Sequence, residues 1–170
     1  MIIIVGLGNP GKEYENTYHN MGFLAIDRLS KFFDIKISKT GLKSKYGEGN
    51  FAGQKIILVK PQTYMNNSGE SVVLWKNKFK DADILVLVDD IDLPRGTVRY
   101  RERGSAGTHN GLRSIVSYIG QEFERVKIGI GREEGDLANY VLSKIDPSFV
   151  EESMDKMVEI VQQRVKDNKI

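Results

Sequence analysis

The sequence predicts an α/β fold in which strands and helices alternate along 170 residues. Three observations carry that prediction. Short β-branched apolar runs stop abruptly on glycine, proline or aspartate. Stretches with apolar residues at helical spacing follow them, and one run, Asp83 to Val88, is apolar throughout after its first residue, as a strand covered on both faces must be. The first run, Ile2 to Val5, ends on Gly6, Gly8, Asn9, Pro10 and Gly11 and delivers a polar loop to one edge of a sheet. In open α/β sheets the carboxyl edge is where ligands bind. That loop carries Asn9, Tyr14 and His19, one of two histidines in the chain, and reads as the floor of an active site.

The same glycines match the dinucleotide fingerprint G-x-G-x-x-G. Two features set that match aside. The motif must open a helix whose first amides hold a pyrophosphate, yet Pro10 and Gly11 stand where the helix would begin, and apolar periodicity resumes only near Met21. The acidic residue expected after a second strand is also missing, because Ile35 to Ser38 ends without a carboxylate.

From Met21 to Phe33 the spacing of Met21, Leu24, Ala25, Leu29, Phe32 and Phe33 predicts an amphipathic helix, capped by Asn20. Residues 38–50 are polar and lysine-rich and read as an exposed loop running into a strand at Tyr46 to Phe51. Gly53-Gln54 reads as a tight turn into a returning strand, Lys55 to Lys60, which stops at Pro61. A second polar loop, Gln62 to Ser71, leads into a helix carrying Val72 to Trp75, with Asn67 or Ser68 as its cap. After the central strand, Thr97 to Arg101 alternates as an edge strand with its arginines outward, and the loop Gly104 to Gly111 opens a helix at Leu112 to Ile119. Val126 to Ile130 is the last strand; a short helical segment reaches Leu142, and Asp146-Pro147 starts a longer helix with Val150, Met154, Met157, Val158, Val161 and Val165 on one face.

No internal repeat or low-complexity linker interrupts this pattern, so residues 1–170 are expected to form one domain. A chain of this length buries roughly 70% of its unfolded surface. The absence of cysteine removes thiolate nucleophiles, disulfides and cysteine-ligated zinc, and fits a reducing compartment; a cytoplasmic location is expected. The opening apolar run is too short for a membrane span and lacks the basic flank of a signal peptide. Net charge is only +2, but residues 31–60 hold seven lysines against Asp34 and Glu48, and Arg95, Arg99, Arg101 and Arg103 fall within nine residues. Lysine runs are commonly solvated surface; the arginines beside glycine loops read as a polyanion-binding face.

If the strand ends share one edge, Asn9, Tyr14, His19, Tyr64, Asn66, Asp89, His109 and Asn110 surround one cleft. An imidazole such as His19 accepts a proton near neutral pH, and Asp89, at the end of a buried strand, suits the carboxylate that orients it. With no G-x-S-x-G elbow and no cysteine, such a pair would activate water directly. Asn9, Asn66 and Asn110 offer uncharged donors for a carbonyl or a developing oxyanion. Each of these residues also has a plain structural reading: a histidine in a loop, a capping aspartate, asparagines in turns. Asp89, Asp90 and Asp92 alternatively form a divalent-metal site for a nuclease or phosphatase. A non-enzymatic RNA-binding module is the other rival.

The motifs GLGNPG with Tyr14 and His19-Asn20, KPQTYMNNSG, DDIDLPRG and GSAGTHNGL, in this order and with RVKIGIGR extending the likeness to Arg132, closely resemble bacterial peptidyl-tRNA hydrolase. That resemblance implies a single domain with a twisted mixed sheet between helices, a phosphorylase/hydrolase-like three-layer fold. It implies a monomeric, metal-free and cofactor-free esterase, with tRNA as partner and no obligate protein partner, that cuts peptide from the 3′-terminal ribose. Carried over residue by residue, His19 matches the general base, and Asp89 the residue that keeps it basic. Asn9 matches the position that separates N-blocked from unblocked aminoacyl-tRNA. Tyr14, Tyr64, Asn66 and Asn110 match positions that contact substrate and the acceptor end, and His109 supports them. Arg99, Arg101, Arg103 and Lys127 are the expected phosphate contacts. Two residues depart from the family pattern: Thr108 stands where glycine is frequent, which would stiffen the loop or narrow the cleft. Val88 replaces a frequent histidine, which removes a potential partner of Asp89.

Overall fold

A computed structural model describes residues 1–132 and 135–167. The strands are β1 (Ile2–Gly6), β2 (Lys39–Gly41), β3 (Ser44–Phe51), β4 (Gln54–Pro61), β5 (Asp83–Asp90), β6 (Val98–Arg101) and β7 (Glu124–Gly129). The helices are α1 (Met21–Phe33), α2 (Ser68–Lys78), α3 (Asn110–Ile119), α4 (Leu137–Val141) and α5 (Val150–Lys166). All seven strands join one mixed sheet in the order β2-β3-β4-β1-β5-β7-β6. β4, β1, β5 and β7 are parallel to one another, whereas β2, β3 and β6 attach antiparallel at the two margins.

Side-chain alternation splits the core into two layers. Ile2, Ile4, Leu85, Leu87, Val126 and Ile128 pack under α1 and α5; Ile3, Val5, Ile57, Val59, Val86 and Val88 pack under α2 and α3. The central strands are buried on both faces, which is why β1 and β5 read as continuous apolar runs. On α5 the expected stripe is buried at Met154, Met157, Val161 and Val165. Trp75 of α2 is buried, with its indole N–H donating to Ser44 Oγ at 3.2 Å and Tyr46 edge-on at 4.8 Å.

Several local expectations are corrected. Lys39–Gly41 and Ser44–Tyr46 are paired strands, not loop; β2 is an exposed edge without apolar alternation, so backbone pairing alone defines it, and Ser44–Tyr46 lengthens β3 beside β4. The hairpin turn is Ala52-Gly53, both at positive φ, and Gln54 already pairs with Phe51. Neither Asn20 nor Asn67 makes a capping bond, and the Ser68 hydroxyl donates back to Met65 O at 2.8 Å. The reason is common to both helices: a 3₁₀ turn, Tyr18–Asn20 before α1 and Met65–Asn67 before α2, supplies the carbonyl that receives the first helical N–H. Asp136 caps α4, accepting from Ala138 N–H at 2.9 Å, whereas Asp146 caps not α5 but the 3₁₀ turn Pro147–Phe149 before it, accepting from Ser148 N–H at 3.0 Å.

α1 lies directly against the ends of β1 and β5 because Gly22 has no side chain. A Cβ there would stand 2.4 Å from Leu7 N and 2.5 Å from both Leu7 O and Leu87 O. These are backbone atoms, so nothing flexible can give way. Gly22→Ala is expected to cost about 3 kcal/mol, the upper range for overpacking, read as a lowered urea midpoint at unchanged m-value.

Candidate active site

The four parallel strands end at one edge, and Asp89 is the penultimate residue of β5 there, only 3% exposed. His19, in the 3₁₀ turn Tyr18–Asn20, places Nδ1 2.9 Å from Asp89 Oδ2. His109, the N-cap of α3, places Nε2 3.0 Å from Asp89 Oδ1 while its Nδ1 accepts Leu112 N–H at 3.2 Å. Each carboxylate oxygen therefore serves one histidine. Because His109 accepts at Nδ1 it donates at Nε2, which defines the neutral tautomer. His19 donates through Nδ1 and retains the Nε2 lone pair. Gly111 makes this approach possible: a Cβ there would meet Met65 Sδ at 2.5 Å and His109 Cε1 at 3.0 Å.

The path to His109 differs from the expectation that the site residues follow strands ending at this edge. β6 runs antiparallel to β7, so Arg101 lies at the opposite edge, and residues 102–109 lead back to bring His109 to Asp89. The buried Arg125 anchors that return. Its Nη1–H donates to Ser105 O at 3.4 Å, its Nη2–H to Gln121 O and Phe123 O at 2.8 and 2.9 Å, and its guanidinium lies 4.0 Å from the Phe123 ring centroid.

Burial is the largest influence on the His19 imidazolium and opposes it, yet the Asp89 charge and hydrogen bond together outweigh it, so His19 titrates above its ordinary value. Burial likewise pushes the Asp89 carboxyl up, and the two histidines more than reverse this, holding it far below the usual carboxylate range. His19, Asp89, His109 and Asn110 line a cavity of about 320 Å³ closed on one side by Leu137, Ala138 and Val141.

The peptidyl-tRNA hydrolase family model matches residues 3–169. A Clostridium beijerinckii peptidyl-tRNA hydrolase is 45% identical over 174 residues, covering 99% of this chain and 91% of that protein. The chain belongs to the peptidyl-tRNA hydrolase family. The crystal structure of the Acinetobacter baumannii peptidyl-tRNA hydrolase at 1.00 Å resolution is similar with a TM-score of 0.87 and 38% identity, over 98% of this chain and 87% of that one. An Arabidopsis thaliana 5′-methylthioadenosine nucleosidase, at 9% identity and a TM-score of 0.59, shares the fold alone.

Against the peptidyl-tRNA hydrolase motifs, the remaining residues fall into distinct places. Asn9 is 8% exposed; its Oδ1 accepts Met65 N–H at 2.7 Å, and its backbone is clasped by Asn20, whose Oδ1 accepts Asn9 N–H at 2.8 Å and whose Nδ2 donates to Asn9 O at 3.0 Å. With Oδ1 committed, Nδ2 is the group Asn9 has to offer. Asn20, expected from sequence as a cap and as part of the His19-Asn20 motif but given no role in the site, is thus the link that holds Asn9 beside His19. Asn9 and Asn20 line a neighbouring cavity of about 360 Å³, not the one beside Asp89. Tyr14 and Tyr64 face each other edge to face at 6.4 Å, with Tyr64 53% exposed, and Asn66 is exposed beside them.

Arg99, Arg101 and Arg103 are exposed, and Lys127 is half-buried on the wall of the cavity beside Asp89. Arg95, though exposed like them, lies apart, with its guanidinium over the Tyr18 and Phe149 rings. In the lysine-rich stretch, Lys39, Lys43 and Lys60 pair with Glu48, Glu70 and Asp27. Thr108 lines the cavity without a positive φ, so it fits unstrained. Val88 leaves Asp89 short of nothing, since His19 and His109 already take both oxygens.

The three aspartates line the same cavity, but among the described residues their carboxylates do not form a common ligand group. Alternation sends Asp89 and Asp90 to opposite faces of β5; Asp90 Oδ1 accepts Asp92 N–H at 2.8 Å, and Asp92 pairs with Arg132 at 2.5 Å. The rival nuclease reading loses its site. His19, Asp89 and His109 have ligand atoms within 4.8 Å of one another. A metal at His109 Nε2 would, however, require either an imidazolate or the loss of the α3 cap.

Since His19 is raised, its share of stability is complete below about 6.5, the ordinary value, and is lost as pH rises through the folded value. Asp89 is lowered, so its share is present above about 3.9 and lost as pH falls toward its folded value. In Asp89→Asn the burial remains and the charge is gone. The His19 midpoint, followed by NMR, is expected to drop below about 6.5, and a midpoint unchanged from the parent would contradict the assigned pair.

Proposed function

We propose that this chain hydrolyses the ester joining a peptide, or an N-blocked aminoacyl group, to the 3′-terminal ribose of tRNA, with His19 as general base. The observation that carries the reading is one buried carboxylate shared by two histidines, only one of which has a free nitrogen. His19 Nε2 takes a proton from water as the water oxygen attacks the ester carbonyl. Asparagine donors stabilise the tetrahedral oxyanion, with Asn110 in the same cavity as His19. Collapse of the intermediate expels the ribose oxygen, which recovers the proton from the imidazolium. Asp89 orients the ring and stabilises its cation, and His109 supports Asp89.

Asn9 supplies selectivity in this reading. Its Nδ2 donates to the amide carbonyl that an N-blocked aminoacyl group carries one step in from the ester. An unblocked group presents an ammonium there, which a donor repels. Tyr14 and Tyr64 pack on the peptide or stack on terminal bases, and Asn66 contacts the acceptor end. The proposed enzyme is a cytoplasmic monomer that acts as one domain without metal or cofactor, and recycles tRNA from peptidyl-tRNA that leaves translation early. Among the described residues no helix is long and apolar enough to cross a membrane.

Arg99, Arg101, Arg103 and Lys127 hold the tRNA phosphates. Support comes from the sheet margin, where Arg99 lies directly opposite Lys127 and Arg101 opposite Arg125 in the β6/β7 ladder. Like charges directly opposite repel, and here, among the described residues, Lys127 is compensated only by Asp90 at 3.9 Å and Arg125 by backbone carbonyls, which leaves the exposed Arg99 and Arg101 to meet an anion.

Cleavage of N-acetyl-aminoacyl-tRNA in the presence of chelator is expected for the parent protein, with unblocked aminoacyl-tRNA spared. His19→Ala should lower kcat by about 10²- to 10⁴-fold, the usual range for a general base. Full activity in that variant, or its loss with chelator, would overturn the mechanism. Arg101→Ala and Lys127→Ala are expected to raise KM at unchanged kcat and to reduce the salt slope of kcat/KM by about 1 each. An unchanged slope would remove them from the phosphate face.

A further inference from the structure

Asp89 fixes the ring of His19, but something else must fix the turn that presents it. Tyr18, the residue before His19, is 3% exposed, with its ring 4.8 Å from Tyr140 and stacked on Phe149 at 6.2 Å. The Tyr18 N–H donates to Ser143 O at 3.2 Å, its hydroxyl accepts Asp146 N–H at 3.2 Å, and Ile145 N–H donates to Asn16 O at 2.7 Å. The chain before His19 is thereby zipped to residues 140–146.

Arg95 sits across this zipper. Its guanidinium lies 5.6 Å from the Tyr18 ring centroid and 5.3 Å from that of Phe149. Its Nη2–H donates to Tyr140 Oη at 3.1 Å and its Nε–H to Ile130 O at 3.3 Å, and Nη1 lies 3.7 Å from the Asp146 carboxylate. Tyr140 in turn donates its hydroxyl to Ile130 O at 2.5 Å. One planar cation thus joins three loops at the carboxyl edge, those that follow β1, β5 and β7. A flat guanidinium can stack on rings and donate in its own plane at once; an ammonium cannot.

α4 gives this hub its consequence. The helix has five residues, too few to hold itself. Leu137, Ala138 and Val141 form a wall of the cavity beside His19, while Tyr140 points the other way into the hub. The wall against which substrate rests and the turn that carries the base are therefore fastened to the same side chain.

We propose that Arg95 is a positioning residue for the hydrolysis: it holds the Tyr18 ring and the Tyr140 hydroxyl together, so that His19 and the α4 wall keep one fixed relation to the ester. The proposal rests on His19 being the base. Misplacement of a reacting group by about 1 Å costs up to ~10²-fold in rate, so the loss falls on kcat.

The test compares Arg95→Ala, Arg95→Lys and Tyr140→Phe with the parent and with His19→Ala, measuring kcat and KM for N-acetyl-aminoacyl-tRNA across a salt series. In Arg95→Ala, kcat is expected to fall about 10- to 100-fold with KM within about threefold of the parent and the salt slope unchanged. Arg95→Lys keeps the charge and loses the stack, and is expected to remain at least about fivefold down in kcat. Tyr140→Phe keeps the ring and is expected to show a smaller loss that is not additive with Arg95→Lys. If Arg95→Ala fails to fold, the other two variants carry the same comparison. A rise in KM with a shallower salt slope and intact kcat would make Arg95 a phosphate contact and overturn the proposal, as would parental kcat in Arg95→Lys and Tyr140→Phe. Retained activity in His19→Ala would instead strike the base assignment, which separates the two failures.

Discussion

The site is organised around one buried carboxylate. Asp89 is almost fully removed from water, and an uncompensated ion there would cost several kcal/mol. Both of its oxygens are met by imidazole N–H groups, from residues 70 and 20 positions away in sequence. Satisfying that charge ties the loop after β1 and the loop before α3 to the end of β5. It also assigns the two histidines different work. His109 is consumed by its double duty, donating to Asp89 and capping α3. His19 spends only Nδ1, and its raised affinity for a proton is what a base acting near neutral pH needs.

The parallel centre of the sheet explains why these loops meet. β4, β1, β5 and β7 all release their chains at the same edge, so residues from widely separated motifs arrive within one region. The antiparallel margins serve another purpose. β6 adds two exposed arginines, Arg99 and Arg101, on the strand that pairs with the one carrying Lys127. Precision at the site comes from small clasps between neighbouring loops: Asn20 on the Asn9 backbone, Asn9 on Met65, Arg125 on Ser105, and Arg95 across Tyr18 and Tyr140.

Much of the fold is legible in the sequence wherever burial imposes a period. The helix at residues 21–33 coincides with α1, and the apolar run at 83–88 lies inside central β5. The edge strand with outward arginines is β6. The elements that escape are those made by backbone pairing without burial, such as β2, and those in which a preceding 3₁₀ turn replaces a side-chain cap. Within the site, His19, Asp89, His109 and Asn110 share a cavity as the motifs suggest, whereas Asn9 lines its neighbour, and Asp90 and Asp92 turn their carboxylates to Asp92 N–H and Arg132 instead of joining Asp89.

The class of fold, the family and the residue types available for chemistry are legible before any coordinates, because hydrophobic period and multi-residue motifs are local properties that survive without three-dimensional context. Folding in three dimensions is what sets which histidine nitrogen is free, makes Asn20 a clasp rather than a cap, and lays Arg95 across three loops. Those outcomes depend on which donor meets which acceptor across long separations in the chain. A hydrogen bond is settled by a few tenths of an ångström between groups that no sequence spacing brings into register.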